Sequence, residues 1–131
     1  MTTLPVTLTT AALSVIVNIW LGWRVVSARR EAKVSIGDGG NEGVLRRMRA
    51  HANFAENAPI FLILLAVAEL AAGSGVLLIT LAAIFLASRV AHGIGMDGGS
   101  LVRFRMFGMM GTTLTTAVLA VWAIMLAARS F

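Results

Sequence analysis

Between Arg46 and Pro59 the chain reads Arg-Arg-Met-Arg-Ala-His-Ala-Asn-Phe-Ala-Glu-Asn-Ala-Pro and passes without a break into the almost wholly apolar run Ile60 to Leu70. In an α-helix Arg46, Arg49, Asn53 and Glu56 stack along one face over about three turns. That face offers cations, an amide and a carboxylate together. Charged side chains at membrane depth cost about 2.5–3.5 kcal/mol each on insertion scales, so Arg49 and Glu56 are expected to face protein or water. Two readings follow: a polar cavity between helices, or an internal salt bridge that staples the bundle.

Other polar residues are less specific. His51 lies at a different helical angle from Arg49, and His92 ends the third apolar run; each could make a single structural hydrogen bond. Two histidines without a second carboxylate pattern predict no metal site. Arg103 and Arg105 open the fourth apolar segment, where arginines also serve simply to snorkel to the interface. Glu69 lies about 20 Å along the helix from Glu56 by the 1.5 Å rise, too far to share a site, and is expected to cap or pair at the outer surface. The sequence has no Cys, so any thiol chemistry must use a thiol brought in by a substrate.

The elements that must position these groups are helices in a membrane. The 131 residues are 58% apolar, with a mean hydropathy of +0.87, above the range of a soluble domain of this size. Four apolar stretches, Val6 to Val26, Phe54 to Ala72, Val76 to Ala91 and Phe107 to Ala128, approach the ~20 residues that cross a bilayer. We expect an all-α, integral-membrane four-helix bundle: one domain over 1–131, with helices about 5–33, 42–72, 75–95 and 101–129. The first stretch lacks a basic leader and a small-residue cleavage site, which favours a mature helix over a signal. Pro59 predicts a bend near Ala55. Gly73-Ser74-Gly75 makes a tight outer turn, and Gly108 and Gly111 with nearby threonines allow close helix approach.

Ten of the eleven basic residues fall in two zones, Arg24 to Arg49 and Arg89 to Arg105. Four crossings put both zones on one side, cytoplasmic by the positive-inside tendency, with both termini outside. This zoning argues against a nucleic-acid partner for a chain of formal charge +5.

The segment Arg49-Ala-His-Ala-Asn53-Phe-Ala-Glu56-Asn-Ala-Pro59 resembles the signature of the MAPEG superfamily, the membrane-associated proteins in eicosanoid and glutathione metabolism. Ser27 to Ser35, Ile36 to Gly40 and Arg89 to Gly95 agree with it, so the similarity covers essentially the whole chain. It is greatest to small bacterial members, which implies a multi-pass protein of the bacterial inner membrane. The superfamily's best-known enzymes are microsomal glutathione transferases and leukotriene C synthase.

The resemblance implies a homotrimer that binds glutathione between subunits near the cytoplasmic side. By this resemblance Arg49, Asn53 and Glu56 are glutathione contacts, His51 and Asn57 adjoin them, Arg29 or Arg30 is a basic contact from helix one, and across the interface Arg103 of the neighbouring subunit stabilises the thiolate, with His92 as a candidate helper and contact. Glutathione carries two carboxylates and one ammonium near neutral pH, so Glu56 suits the ammonium and the arginines suit the carboxylates. Its thiol resembles free cysteine, with a pKa about 8.5, and each unit of depression requires about 1.4 kcal/mol in favour of the thiolate.

The chain has no Tyr. Leukotriene-type members have tyrosines where this sequence has His92, Met96 and Asn57, so leukotriene synthesis is not expected, and the thiolate falls to Arg103, or to Arg105 if the register of helix four differs by two. The implied activity is a glutathione transferase or peroxidase acting on a hydrophobic electrophile or lipid hydroperoxide arriving from the membrane lipid, with glutathione as cosubstrate and no metal. The alternatives are a non-enzymatic glutathione- or lipid-binding scaffold of the same superfamily and a small proton-coupled multidrug exporter. Exporters of that kind usually carry their essential glutamate on helix one, which here has no acid before Glu31.

Overall fold

The structure, a computed structural model, describes residues 3–129. Four helices account for most of it: α1 (Pro5–Ala32), α2 (Glu42–Ala72), α3 (Val76–Gly95) and α4 (Val102–Ala128), the last preceded by a 3-10 turn at Gly99–Leu101. No strand occurs among the described residues. Each helix is long and apolar enough to cross a membrane. The outward residues, among them Leu8, Ile16, Ile19, Ile63, Val67, Leu114 and Ile124, are exposed and apolar, as a helix facing lipid or a neighbouring subunit requires.

Local chemistry sets the helix limits. Pro5 occupies the first turn of α1, where its missing N–H costs nothing. Lys33 ends that helix with φ +56°, its N–H turned back to the carbonyls of Arg29 and Arg30. Asn41 caps α2, its Oδ1 accepting the Val44 N–H at 3.0 Å. Pro59 lies inside α2, which runs as one helix from Glu42 to Ala72.

The N-terminus of α1 has no cap of its own, and Glu69 of α2 supplies one. The carboxylate, 2% exposed, accepts the N–H groups of Val6 at 3.0 Å and Thr7 at 2.8 Å. The hydroxyls of Thr7 and Ser74 also donate to it, each at 2.7 Å. The capping role expected for Glu69 is thus present, and its target is a different helix.

The core is aliphatic and aromatic: Leu21 from α1, Phe54, Phe61 and Leu65 from α2, Leu78 and Phe85 from α3, and Leu119 from α4. Phe61 and Phe85 stack with centroids 3.9 Å apart and planes 4° from parallel. Small residues let α3 and α4 pack backbone to backbone. A Cβ on Gly108 would strike the backbone of His92, and one on Gly111 would strike the Ser88 side chain. The hydroxyls of Thr112, Thr115 and Thr116 donate back to carbonyls within α4, which leaves no polar group of theirs without a partner in this apolar setting.

Candidate functional site

At the end of the bundle where the basic residues gather, a cavity of about 260 Å³ lies between α2, α3 and α4, lined by Arg49, Ala52, Asn53, Glu56, His92, Met96, Arg105 and Met109. Arg49, Asn53 and Glu56 reach it because they lie within about two turns on one face of α2. Arg49, Glu56 and Arg105 are exposed there and form no hydrogen bond or ion pair among the described residues. Two cations and a carboxylate therefore face one opening with their charges uncompensated by the protein. An internal salt bridge or polar staple would engage Arg49 or Glu56, and no ion pair among the described residues includes either of them.

Beneath Asn53 sits Arg89, 1% exposed. One guanidinium nitrogen donates to Asn53 Oδ1 at 2.7 Å and the other to Thr112 Oγ1 at 3.2 Å. With Oδ1 held by Arg89, the Asn53 amide nitrogen is the group left to donate to a ligand. Arg89 Nε and His92 Nδ1 are buried without a partner among the described residues, so two of the three buried side-chain polar atoms left unsatisfied there lie in or under the cavity, the third being Ser14 Oγ of α1.

The remaining residues singled out from the sequence lie elsewhere. Arg103 is exposed but does not line the cavity, whereas Arg105 does. Two residues along a helix turn the side chain by about 200°, so the two arginines leave α4 on nearly opposite sides. The same step separates His51 from Arg49: His51 Nε2 lies 2.9 Å from Asn18 Oδ1 and ties α2 to α1. Asn57 turns its amide back to the Asn53 carbonyl at 2.8 Å. Arg29 braces the α1–α2 loop, donating to the Gly37 carbonyl at 3.0 Å and contacting Met48 Sδ at 3.5 Å. The Arg30 guanidinium lies over Trp23, 5.8 Å from the ring centroid. Arg46 leaves the polar face for Glu42 at 2.6 Å and the Asp97 carbonyl at 3.3 Å.

In the sequence pattern Arg89 stands only as part of a motif and as the start of a basic zone. Its signal was available, because a cation at the end of the apolar run Val76–Ser88 lies at membrane depth, where an ionisable side chain marks a site by default. Among the described residues no cluster of three or more His, Cys, Asp or Glu side chains is placed to hold a metal ion.

The arrangement can bind a small ligand that carries charges of both signs and leave one part of it beside a cation. No individual curated protein matches the chain. A family model described as the MAPEG family matches residues 7–125, from the first turn of α1 into the last turn of α4 and across every residue that lines the cavity. The chain therefore belongs to the MAPEG family.

Proposed function

We propose that this protein is a membrane-embedded glutathione transferase or glutathione-dependent peroxidase acting on hydrophobic electrophiles, with glutathione held in the cavity between α2, α3 and α4. The family consists of membrane glutathione transferases, peroxidases and related proteins. The observation that carries the reading is the convergence of Arg49, Glu56 and Arg105, each without a protein partner among the described residues, on one opening above the Arg89–Asn53 pair. Glu56 takes the ammonium, and Arg49 and the Asn53 amide take a carboxylate. Arg105 faces the thiol and favours its ionised form.

Once the thiol has lost its proton to solvent, the sulfur attacks the electrophilic carbon and the leaving group departs with its electron pair. With a hydroperoxide the sulfur attacks the terminal oxygen and the O–O bond breaks. Water protonates the departing alkoxide, and a second glutathione reduces the sulfenic acid to disulfide and water. The exposed apolar faces of the bundle give such substrates a route from the bilayer.

A homotrimer would close the outward side of the cavity with a neighbouring subunit, the basic end lying in the cytoplasm. In that assembly Arg103 serves a site only if a neighbour supplies it, whereas Arg105 serves its own subunit. A binding protein without turnover is the second reading; among the described residues no Ser, Thr or Tyr hydroxyl lines the cavity to assist Arg105. Purified protein in detergent separates the two. Thiolate absorbance with glutathione alone, then conjugation of an aromatic halide and reduction of a lipid hydroperoxide, are expected for the enzyme. Binding without either turnover supports the scaffold.

A further inference from the structure

The basic end holds a second constellation, centred on one carboxylate. Asp97 lies between α3 and the 3-10 turn. Its Oδ2 pairs with Arg24 of α1, and its Oδ1 accepts from Arg47 of α2 at 3.4 Å. Arg46 of α2 donates to its backbone carbonyl at 3.3 Å. Arg24 also donates to the Gly93 carbonyl at 2.7 Å and lies over Trp20, 4.9 Å from the ring centroid. Three arginines from the first two helices thus grip the turn that joins the last two.

That turn is coupled rigidly to the candidate site. A Cβ on Gly95 would fall on the backbone nitrogen of Arg105 and against Phe104, so the last residue of α3 and the first turn of α4 touch main chain to main chain. Gly98, with φ +86°, passes so close to the Arg46 guanidinium that a Cβ there would strike it. Displacement of the end of α3 therefore moves Arg105 with it.

We propose that Asp97 is a positioning residue: clamped by Arg24 and Arg47, it fixes Arg105 opposite Arg49, Asn53 and Glu56, and so sets how much bound glutathione is thiolate. This rests on the proposed glutathione chemistry for its functional readout, though its geometric content does not. Asp97 lines no part of the candidate cavity, so it acts through Arg105 and not on the ligand.

The experiment compares wild-type protein, Asp97→Asn, Asp97→Glu, Arg105→Leu and the Asp97→Asn/Arg105→Leu pair. Glutathione affinity and the thiolate fraction are measured separately, the fraction over a pH range that extends above about 8.5, where bound glutathione still carries thiolate in the Arg105→Leu background. Asp97→Asn is expected to lower the thiolate fraction about fivefold while changing affinity less than about threefold, and to have no further effect once Arg105 is Leu, as coupled residues require. Asp97→Glu is expected to recover part of the loss. An unchanged thiolate fraction, or an equal loss in the Arg105→Leu background, overturns the proposal.

A second readout needs no glutathione. The chain has no native cysteine, so Leu45→Cys on α2 and Val102→Cys on α4, both exposed, accept spin labels selectively. Asp97→Asn, or Arg24→Gln with Arg47→Gln if Asp97→Asn does not fold, should broaden the distance distribution between them. A distribution as narrow as wild type overturns the clamp. If wild-type protein gives no thiolate but the labels broaden, the clamp stands and the glutathione assignment fails.

Discussion

Arg89→Met separates the two things a buried arginine can do. Arg89 is enclosed and has no carboxylate partner among the described residues; its guanidinium holds Asn53 and touches Thr112. Methionine fills much of the same space without a charge, and replacing buried ionic groups by well-packed apolar ones is often neutral or stabilising by about 1–4 kcal/mol. The partners left behind lose little. Thr112 keeps its bond to the Gly108 carbonyl at 2.8 Å, and half-buried Asn53 can be hydrated. Stability is therefore expected to stay level or to rise by about 1–2 kcal/mol. Binding moves the other way. The 2.7 Å bond that orients Asn53 has a charged donor, a class worth about 1.5–3 kcal/mol, and losing that orientation should weaken glutathione about tenfold, or about 1.4 kcal/mol. Thermal unfolding in detergent and calorimetric titration with glutathione measure both quantities. A stability loss above about 3 kcal/mol with unchanged affinity would instead make Arg89 a structural tie with no part in binding.

Glu69→Gln keeps the shape but strands at least one of the two backbone N–H groups that the carboxylate receives at the start of α1. The expected loss is about 2–4 kcal/mol, from an unsatisfied buried donor and a lost anion at a helix N-terminus, read as a lower unfolding temperature and faster hydrogen exchange confined to the first turns of α1. Gly95→Ala drives a methyl into the main chain of Arg105; about 1–3 kcal/mol of overpacking is expected, with a thiolate fraction that falls more than glutathione affinity does.

The four helices were legible because lipid leaves so few alternatives: apolar runs of near-spanning length must be helical, and glycine-rich or charged breaks must lie between them. The polar face of α2 was legible for the same reason as any helical stripe, since Arg49, Asn53 and Glu56 share an angle by spacing alone. Choices between side chains of one helix end were not. Arg103 and Arg105 differ by two residues in the first turn of α4, and the packing of Gly95 against that turn decides which one enters the cavity. The partners of His51 and Arg29, Asn18 and Gly37, are set by how the chain folds back on itself, so the sequence pattern could not supply them. The sequence marks Arg89 as a cation at membrane depth but does not give its partner, because it holds Asn53 across 36 residues of chain, a pairing no local spacing encodes.

The central claim is that the cavity binds glutathione as its thiolate against Arg105. Ultraviolet difference absorbance of the purified wild-type protein with glutathione, beside Arg105→Leu, Arg103→Leu and Glu56→Gln, tests it most directly. A thiolate band is expected in wild type that disappears in Arg105→Leu, persists in Arg103→Leu, and needs much higher glutathione concentrations in Glu56→Gln. A band that persists in Arg105→Leu and vanishes in Arg103→Leu would move the chemistry to an arginine donated by a neighbouring subunit, and no band in wild type at saturating glutathione would contradict the claim outright.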